Sequence, residues 1–194
     1  MKTNYAKLLI MVSMYIFPLS LFSQKTFNQY LEEAISGDVV SQITVANCYY
    51  SGNGVTKNYT EAMKWYKKAA EQGNVEGQAG LAACYYNGQG CPVNYAEAFY
   101  WHYMAAQQGH AHAQFTVGAQ YLSGQGIKKD EKEAFKWFLK AAEQGHVDAM
   151  VAVGGCYYKG KGVKKNKTES MLWFLKAKDL GSTEARDAIL NLKF

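Results

Sequence analysis

Between Gln42 and Gly52 the apolar residues Ile43, Val45, Ala46, Cys48 and Tyr49 recur at the three-and-four spacing of a single helical face. The spacing predicts a helix, and Gly52 predicts its end, because glycine enters the left-handed conformation that closes a helix at least cost. A second glycine, Gly54, permits a sharp loop, and Val55 follows as an apolar plug. The next periodic segment opens at Asn58. An Asn side chain accepts from first-turn N–H groups that have no partner in the helix, and Glu61, three residues on, is placed to reach back in a capping-box-like start. In "EAMKWYKKAA" the residues Ala62, Trp65, Tyr66 and Ala69 form one stripe. The alanines let helices approach closely, the Trp fills the space between them, and Gly73 ends the segment. Two antiparallel helices are predicted.

The same pattern returns at a constant offset of 36 residues. Trp65, Trp101, Trp137 and Trp173 keep that spacing, as do Gly37, Gly73, Gly109, Gly145 and Gly181. The loop glycines recur as Gly90, Gly126 and Gly162, and the plugs as Cys91, Ile127 and Val163. Helix starts recur at Asn94, Asp130 and Asn166, with Glu97, Glu133 and Glu169 three residues later. Such a period marks a stack of supersecondary units, none of which buries its apolar face alone. Four full repeats are predicted at 38–73, 74–109, 110–145 and 146–181. A degenerate second helix caps the front over 24–37, with Phe27, Tyr30, Leu31, Ala34 and Ile35 on its apolar face. A lone first helix closes the back over 182–194, with Ile189 and Leu190 inward. The expected fold is all-α, a solenoid of ten helices with the four Trp buried between them.

The recurring run G-x-G-[VI]-x-x-[ND]-x-x-[EA]-A-x-x-W-[YF]-x-x-A-A-E-Q-G resembles the Sel1-like repeat, a relative of the tetratricopeptide repeat. The resemblance covers roughly 37–192, nearly all of the chain after its first segment. It implies a right-handed superhelix that serves as an adaptor or scaffold for a protein or peptide partner, with the first helix of each pair lining a concave groove. On that implication Asn47, Tyr50, Tyr86, Asn87, Phe115, Leu122, Val151 and Tyr158 face the groove, and Lys159 adds charge at one end. Tyr50, Tyr86, Leu122 and Tyr158 hold one repeat position and form an apolar and aromatic row. Tyrosine suits a contact surface because it offers a large area with few rotors to freeze. The same tyrosines also suit packing against the next repeat.

The first residues change the picture of where the chain works. Lys2 and Lys7 precede the uncharged stretch Leu8 to Phe22, which is too short for an ordinary membrane span and fits a secretory h-region. A signal peptide over 1–23 is expected, with cleavage after Ser23 and no transmembrane span afterwards. Leu21 at the −3 position is larger than usual and leaves a retained anchor open. Periplasmic or secreted localisation follows. The full chain carries +5; without Lys2 and Lys7, 19 basic residues face 16 acidic ones, for +3. That excess is too mild to point to nucleic acid. It is uneven, however: twelve Lys and six acids lie between Lys128 and Lys178, and no Lys or Arg lies between Asn74 and Gly109. In that lysine-free repeat Tyr100 and Met104 replace Lys64 and Lys68, or Lys136 and Lys140, and make a second candidate contact patch on the outer face. Self-association through one face of the solenoid is a third possibility.

Reactive groups add little. The repeated G-x-G follows no strand and lacks the third glycine of a dinucleotide site. His110 and His146 share one repeat position at a helix start, and His110 and His112 are two apart, off any common helical face. With His102 they complete no ligand set, so no metal and no cofactor is expected. Cys48, Cys84 and Cys156 share a core position, about 10 Å from one repeat to the next, beyond disulfide reach. Only Cys84 and Cys91 lie near enough for a disulfide, which stays open. No Ser, Cys or acid pair stands in an activating context, so a non-catalytic protein is expected. The resemblance brings one rival, because a cysteine-rich branch of the family is associated with β-lactam binding or hydrolysis. That branch staples each repeat with two cysteines eight apart. Here those positions are Ala70 and Gln78, Ala106 and Gln114, and Ala142 and Met150.

Overall fold

The computed structural model describes residues 25–191, which form ten α-helices and no strand. The expected signal peptide over 1–23 and the last residues, 192–194, lie outside the described residues. The helices are α1 (Phe27–Ile35), α2 (Val39–Ser51), α3 (Tyr59–Glu71), α4 (Val75–Asn87), α5 (Tyr95–Gln107), α6 (Ala111–Ser123), α7 (Glu131–Glu143), α8 (Val147–Lys159), α9 (Lys167–Asp179) and α10 (Thr183–Asn191). Each packs chiefly on its sequence neighbours. The result is four helix pairs, α2/α3 to α8/α9, between two single capping helices.

Side chains cap the helices in a repeating register. Asp38, Asn74, His110 and His146 accept from the N–H groups of Ser41, Gly77, Ala113 and Ala149 at 2.7, 2.9, 3.1 and 3.3 Å. Asn58, Asn94, Asp130 and Asn166 do the same for α3, α5, α7 and α9. The reciprocal half of the predicted capping box differs. Lys64 and Lys136 donate to Glu61 and Glu133 at 2.7 and 2.6 Å. An ammonium one turn away is a charged donor for these carboxylates. At the front cap the reciprocal bond is made, with the Thr26 N–H donating to Gln29 Oε1 at 2.8 Å.

Two loop glycines set how closely repeats stack. At Gly126 and Gly162 φ is +76° and +70°, and an added Cβ would lie 1.9 Å from the carbonyl oxygens of Tyr95 and Glu131 in the preceding repeat. A side chain there would push adjacent repeats apart.

The core runs the length of the stack. Val45, Leu81, Val117 and Val153, equivalent in the four repeats, are fully buried among the alanines of both helices. Two expectations are corrected. Trp65 and Trp137 are buried, but Trp101 and Trp173 are only half-buried. Lys68 and Lys140 lie over Trp65 and Trp137 at 3.8 and 4.2 Å. Met104 stands where such a lysine would cover Trp101, whereas Lys176 does lie over Trp173 at 4.2 Å and, among the described residues, only the capping helix follows that repeat. At the ends, Ile35 and Leu190 are 69% and 75% exposed, so neither points inward. Among the described residues each capping helix packs chiefly on one neighbour.

A recurring glutamine pair also ties together the two helices within each of the first three repeats. Gln72, Gln108 and Gln144 donate to Gln42, Gln78 and Gln114 at 2.8, 2.9 and 2.6 Å. Met150 and Leu180 take the corresponding places within the fourth repeat, where the pair is lost.

Candidate functional site

The first helices of the late repeats, α6 and α8, and the closing helix α10 enclose a cavity of about 660 Å³. Its floor is apolar: Phe115 and Leu122 from α6, Val151 and Cys156 from α8, and Phe174 from α9. Gly155 opens it. Equivalent positions in the earlier repeats are Asn47, Ala83 and Ala119, and a Cβ built on Gly155 meets nothing within 4 Å. Phe115 is held in place by its neighbours, with its ring stacked on His146 at 5.0 Å and tilted against Phe138 at 5.7 Å.

The rim is charged in two halves. Asp148 at the start of α8, with Glu184 and Asp187 of α10, forms an acidic side; Lys159 and Lys161 form a basic side. Cys156 is buried at the floor and its thiol is pushed up to about 11, chiefly by desolvation. A thiol so protonated is a poor nucleophile. Cys84 is likewise pushed up to about 12 by burial. All four cysteines are free thiols, and Cys91 Sγ donates to the Cys84 carbonyl oxygen at 3.8 Å. Among the described residues no group of three His, Cys, Asp or Glu is placed to hold a metal ion. The geometry offers shape, apolar area and charge.

The structure gathers five of the groove residues chosen from sequence, Phe115, Leu122, Val151, Tyr158 and Lys159, around this cavity. Asn47, Tyr50, Tyr86 and Asn87 belong to α2 and α4 and lie outside it. The tyrosines there serve the joints between repeats. Tyr50 and Tyr86 donate to Gln89 and Gln125 of the next repeat at 2.9 and 3.1 Å, and meet Tyr59 and Tyr95 edge-on. Asn47 accepts from the Tyr66 hydroxyl at 2.5 Å. On the outer face Tyr100 is 52% exposed and meets Trp101 edge-on, but Met104 is half-buried, so the exposed pair reduces to one exposed residue.

The comparisons with known proteins follow the same register. A family model described as Sel1 repeat matches residues 39–74, 75–110, 111–146 and 147–182. The chain belongs to the Sel1 repeat family. Among solved structures it is similar to a protective antigen of uropathogenic Escherichia coli displaying an SLR fold. The two are 35% identical with a TM-score of 0.84, covering 86% of this chain and 36% of that one. A Sel1 repeat protein from Oxalobacter formigenes is 31% identical with a TM-score of 0.76, covering 82% of this chain and 63% of that one. This chain therefore spans less than two thirds of either protein. Helicobacter pylori cysteine rich protein B is 29% identical with a TM-score of 0.54, covering 70% of this chain and 98% of that one. No curated protein matches. The helix pairs thus form the right-handed superhelical solenoid of Sel1 repeats, and proteins of this family are in general non-catalytic scaffolds for protein interaction. No helix among the described residues is long and apolar enough to cross a membrane.

Sequence reading missed three features. The acidic rim from α10 and Asp148 was absent from the groove set, which was drawn, Lys159 apart, from apolar and amide positions of the full repeats, although Asp148 and Glu184 hold one repeat position. The His112–His146 contact, 3.4 Å between Nδ1 and Nε2, spans two repeats. The buried pair His102 and Gln120 breaks the repeat pattern at two positions at once, a signal that was legible in the alignment of repeats.

Proposed function

We propose that this protein is an exported, non-catalytic Sel1-repeat scaffold that binds a protein or peptide in its concave groove, at the cavity between α6, α8 and α10. One observation carries the reading: five of the nine residues that the family resemblance assigned to the groove, Phe115, Leu122, Val151, Tyr158 and Lys159, line one cavity of about 660 Å³. An apolar pocket with a few polar groups at its rim is the usual form of a ligand site. The layout that goes with it is a signal peptide over 1–23, four repeats and two capping helices.

A second reading places the contact on the outer face. Its support is Tyr100, 52% exposed beside a half-buried Trp101 that no lysine covers, in the repeat without Lys or Arg. That surface suits self-association or a second partner.

The two readings separate experimentally. A partner captured by crosslinking in the cell envelope is rebound to purified variants. Gly155→Trp fills the cavity and abolishes binding if the groove is the site, whereas Tyr100→Lys with Met104→Lys leaves it intact. The reverse outcome moves the site to the outer face. Export is tested by the N-terminus, which is expected near Gln24; an intact Met1 on soluble cytoplasmic protein overturns it. Nitrocefin turnover by the pure protein would overturn the non-catalytic reading.

A further inference from the structure

We propose that the cavity selects a short extended segment of about five residues carrying a cation at one end, a carboxylate at the other and an apolar side chain between them. This rests on the groove reading above and adds to it the length and charge pattern of the ligand.

The two charged sides of the cavity are separated by the length of one helix. Asp148 is the second residue of α8 and Lys159 its last, and both line the cavity. Eleven residues of α-helix span about 16 Å, the length of about five residues of extended chain. The acidic side is reinforced from α10. Glu184 and Asp187 also line the cavity there, Asp187 with Arg186 Nε 3.5 Å away. The basic side is reinforced from the following loop by Lys161. Between the two sides the floor is uncharged, and Gly155 leaves open space above it. A ligand lying along α8 therefore meets negative charge at the start of the helix, apolar surface in the middle and positive charge at its end.

Single contacts at an exposed rim contribute little. Selection comes instead from mismatch, because a segment with like charges at both ends puts one of them against a rim of its own sign. A segment running either way along α8 fits, provided its ends differ in charge.

The test uses the purified full chain, labelled with nitrogen-15, and three pentapeptides with blocked termini. Lys-Ala-Phe-Ala-Glu is expected to shift the amides of Val151, Gly155 and Ala188 at concentrations at least about tenfold lower than Lys-Ala-Phe-Ala-Lys or Glu-Ala-Phe-Ala-Glu, the ratio that about 1.4 kcal/mol of discrimination gives. Lys159→Glu with Lys161→Glu moves the preference to the peptide with two lysines. Equal shifts from all three peptides, lost in Gly155→Trp, overturn the charge selection while leaving the groove in place. No shift from any of them also overturns this inference, and the groove reading then stands or falls on the captured partner.

Discussion

His102 Nδ1 lies 3.0 Å from Gln120 Oε1, with both side chains buried between α5 and α6. The equivalent pairs in other repeats are Tyr66 with Cys84 and Phe138 with Cys156, so this one joint exchanges an apolar contact for a polar one. The exchange is incomplete, because Gln120 Nε2 is buried without a hydrogen-bond partner.

Replacing both members should therefore stabilise the fold. His102→Phe with Gln120→Cys restores the composition of the neighbouring joints and removes the unpaired donor, for a gain of about 1–3 kcal/mol. His102→Phe alone should destabilise, since the whole Gln120 amide is then stranded. Urea unfolding reads both outcomes as midpoint shifts at unchanged slope.

The same pair makes stability fall in acid. Burial, partly opposed by the Gln120 hydrogen bond, lowers the His102 pKa to about 4 from an ordinary 6.5. Between those values the unfolded chain holds a proton that the folded chain refuses. The contribution is complete above the unfolded value and is lost as pH drops from 6.5 toward 4, by about 3 kcal/mol. His146, also lowered by burial and then by His112, acts in the same direction. Melting temperature should fall between about pH 7 and about pH 4.5, and the double variant should lose less of it.

His146 has a second structural duty that fixes its tautomer. Its Nδ1 accepts from the Ala149 N–H, so in the neutral ring the proton sits on Nε2, facing His112 Nδ1. His146→Asn should keep the cap, as Asn74 does in its own repeat. His146→Ala should cost about 1 kcal/mol for the cap. Thermal unfolding of the two variants, compared at neutral pH, checks the difference.

Gly155 lies mid-helix with no close neighbour for a Cβ, and its φ is not positive. Gly155→Ala should raise stability by about 1 kcal/mol through helix propensity. Gly155→Trp should remain folded by circular dichroism. A collapse of helicity in either variant would contradict the open space described here.

The tryptophans should not behave alike. Trp137→Ala removes a buried ring that packs edge-on against Tyr103, 5.5 Å away, and should cost about 3–5 kcal/mol. Trp101→Ala should cost less, because its ring is half-buried. Equal losses in denaturant titrations would show that burial is not what separates them.

Local chemistry made the architecture readable from sequence. Asn58, Gly52 and the Trp65 stripe each specify a helix start, stop or face through interactions within a few residues, and a 36-residue period repeats that specification in register. Family and fold follow from such short-range rules. What lies between repeats was less legible. Tyr50 and Tyr86 belong to one repeat position with Leu122 and Tyr158, yet the first pair bonds the next repeat while the second pair lines a cavity. The difference is decided by residues far along the chain: a glutamine 39 positions on for Tyr50 and Tyr86, and Gly155 and the closing helix for the cavity. A repeat alignment averages over such partners. Only the packed stack settles which of these equivalent side chains bond the next repeat, as Tyr50 and Tyr86 do, and which line the cavity, as Leu122 and Tyr158 do.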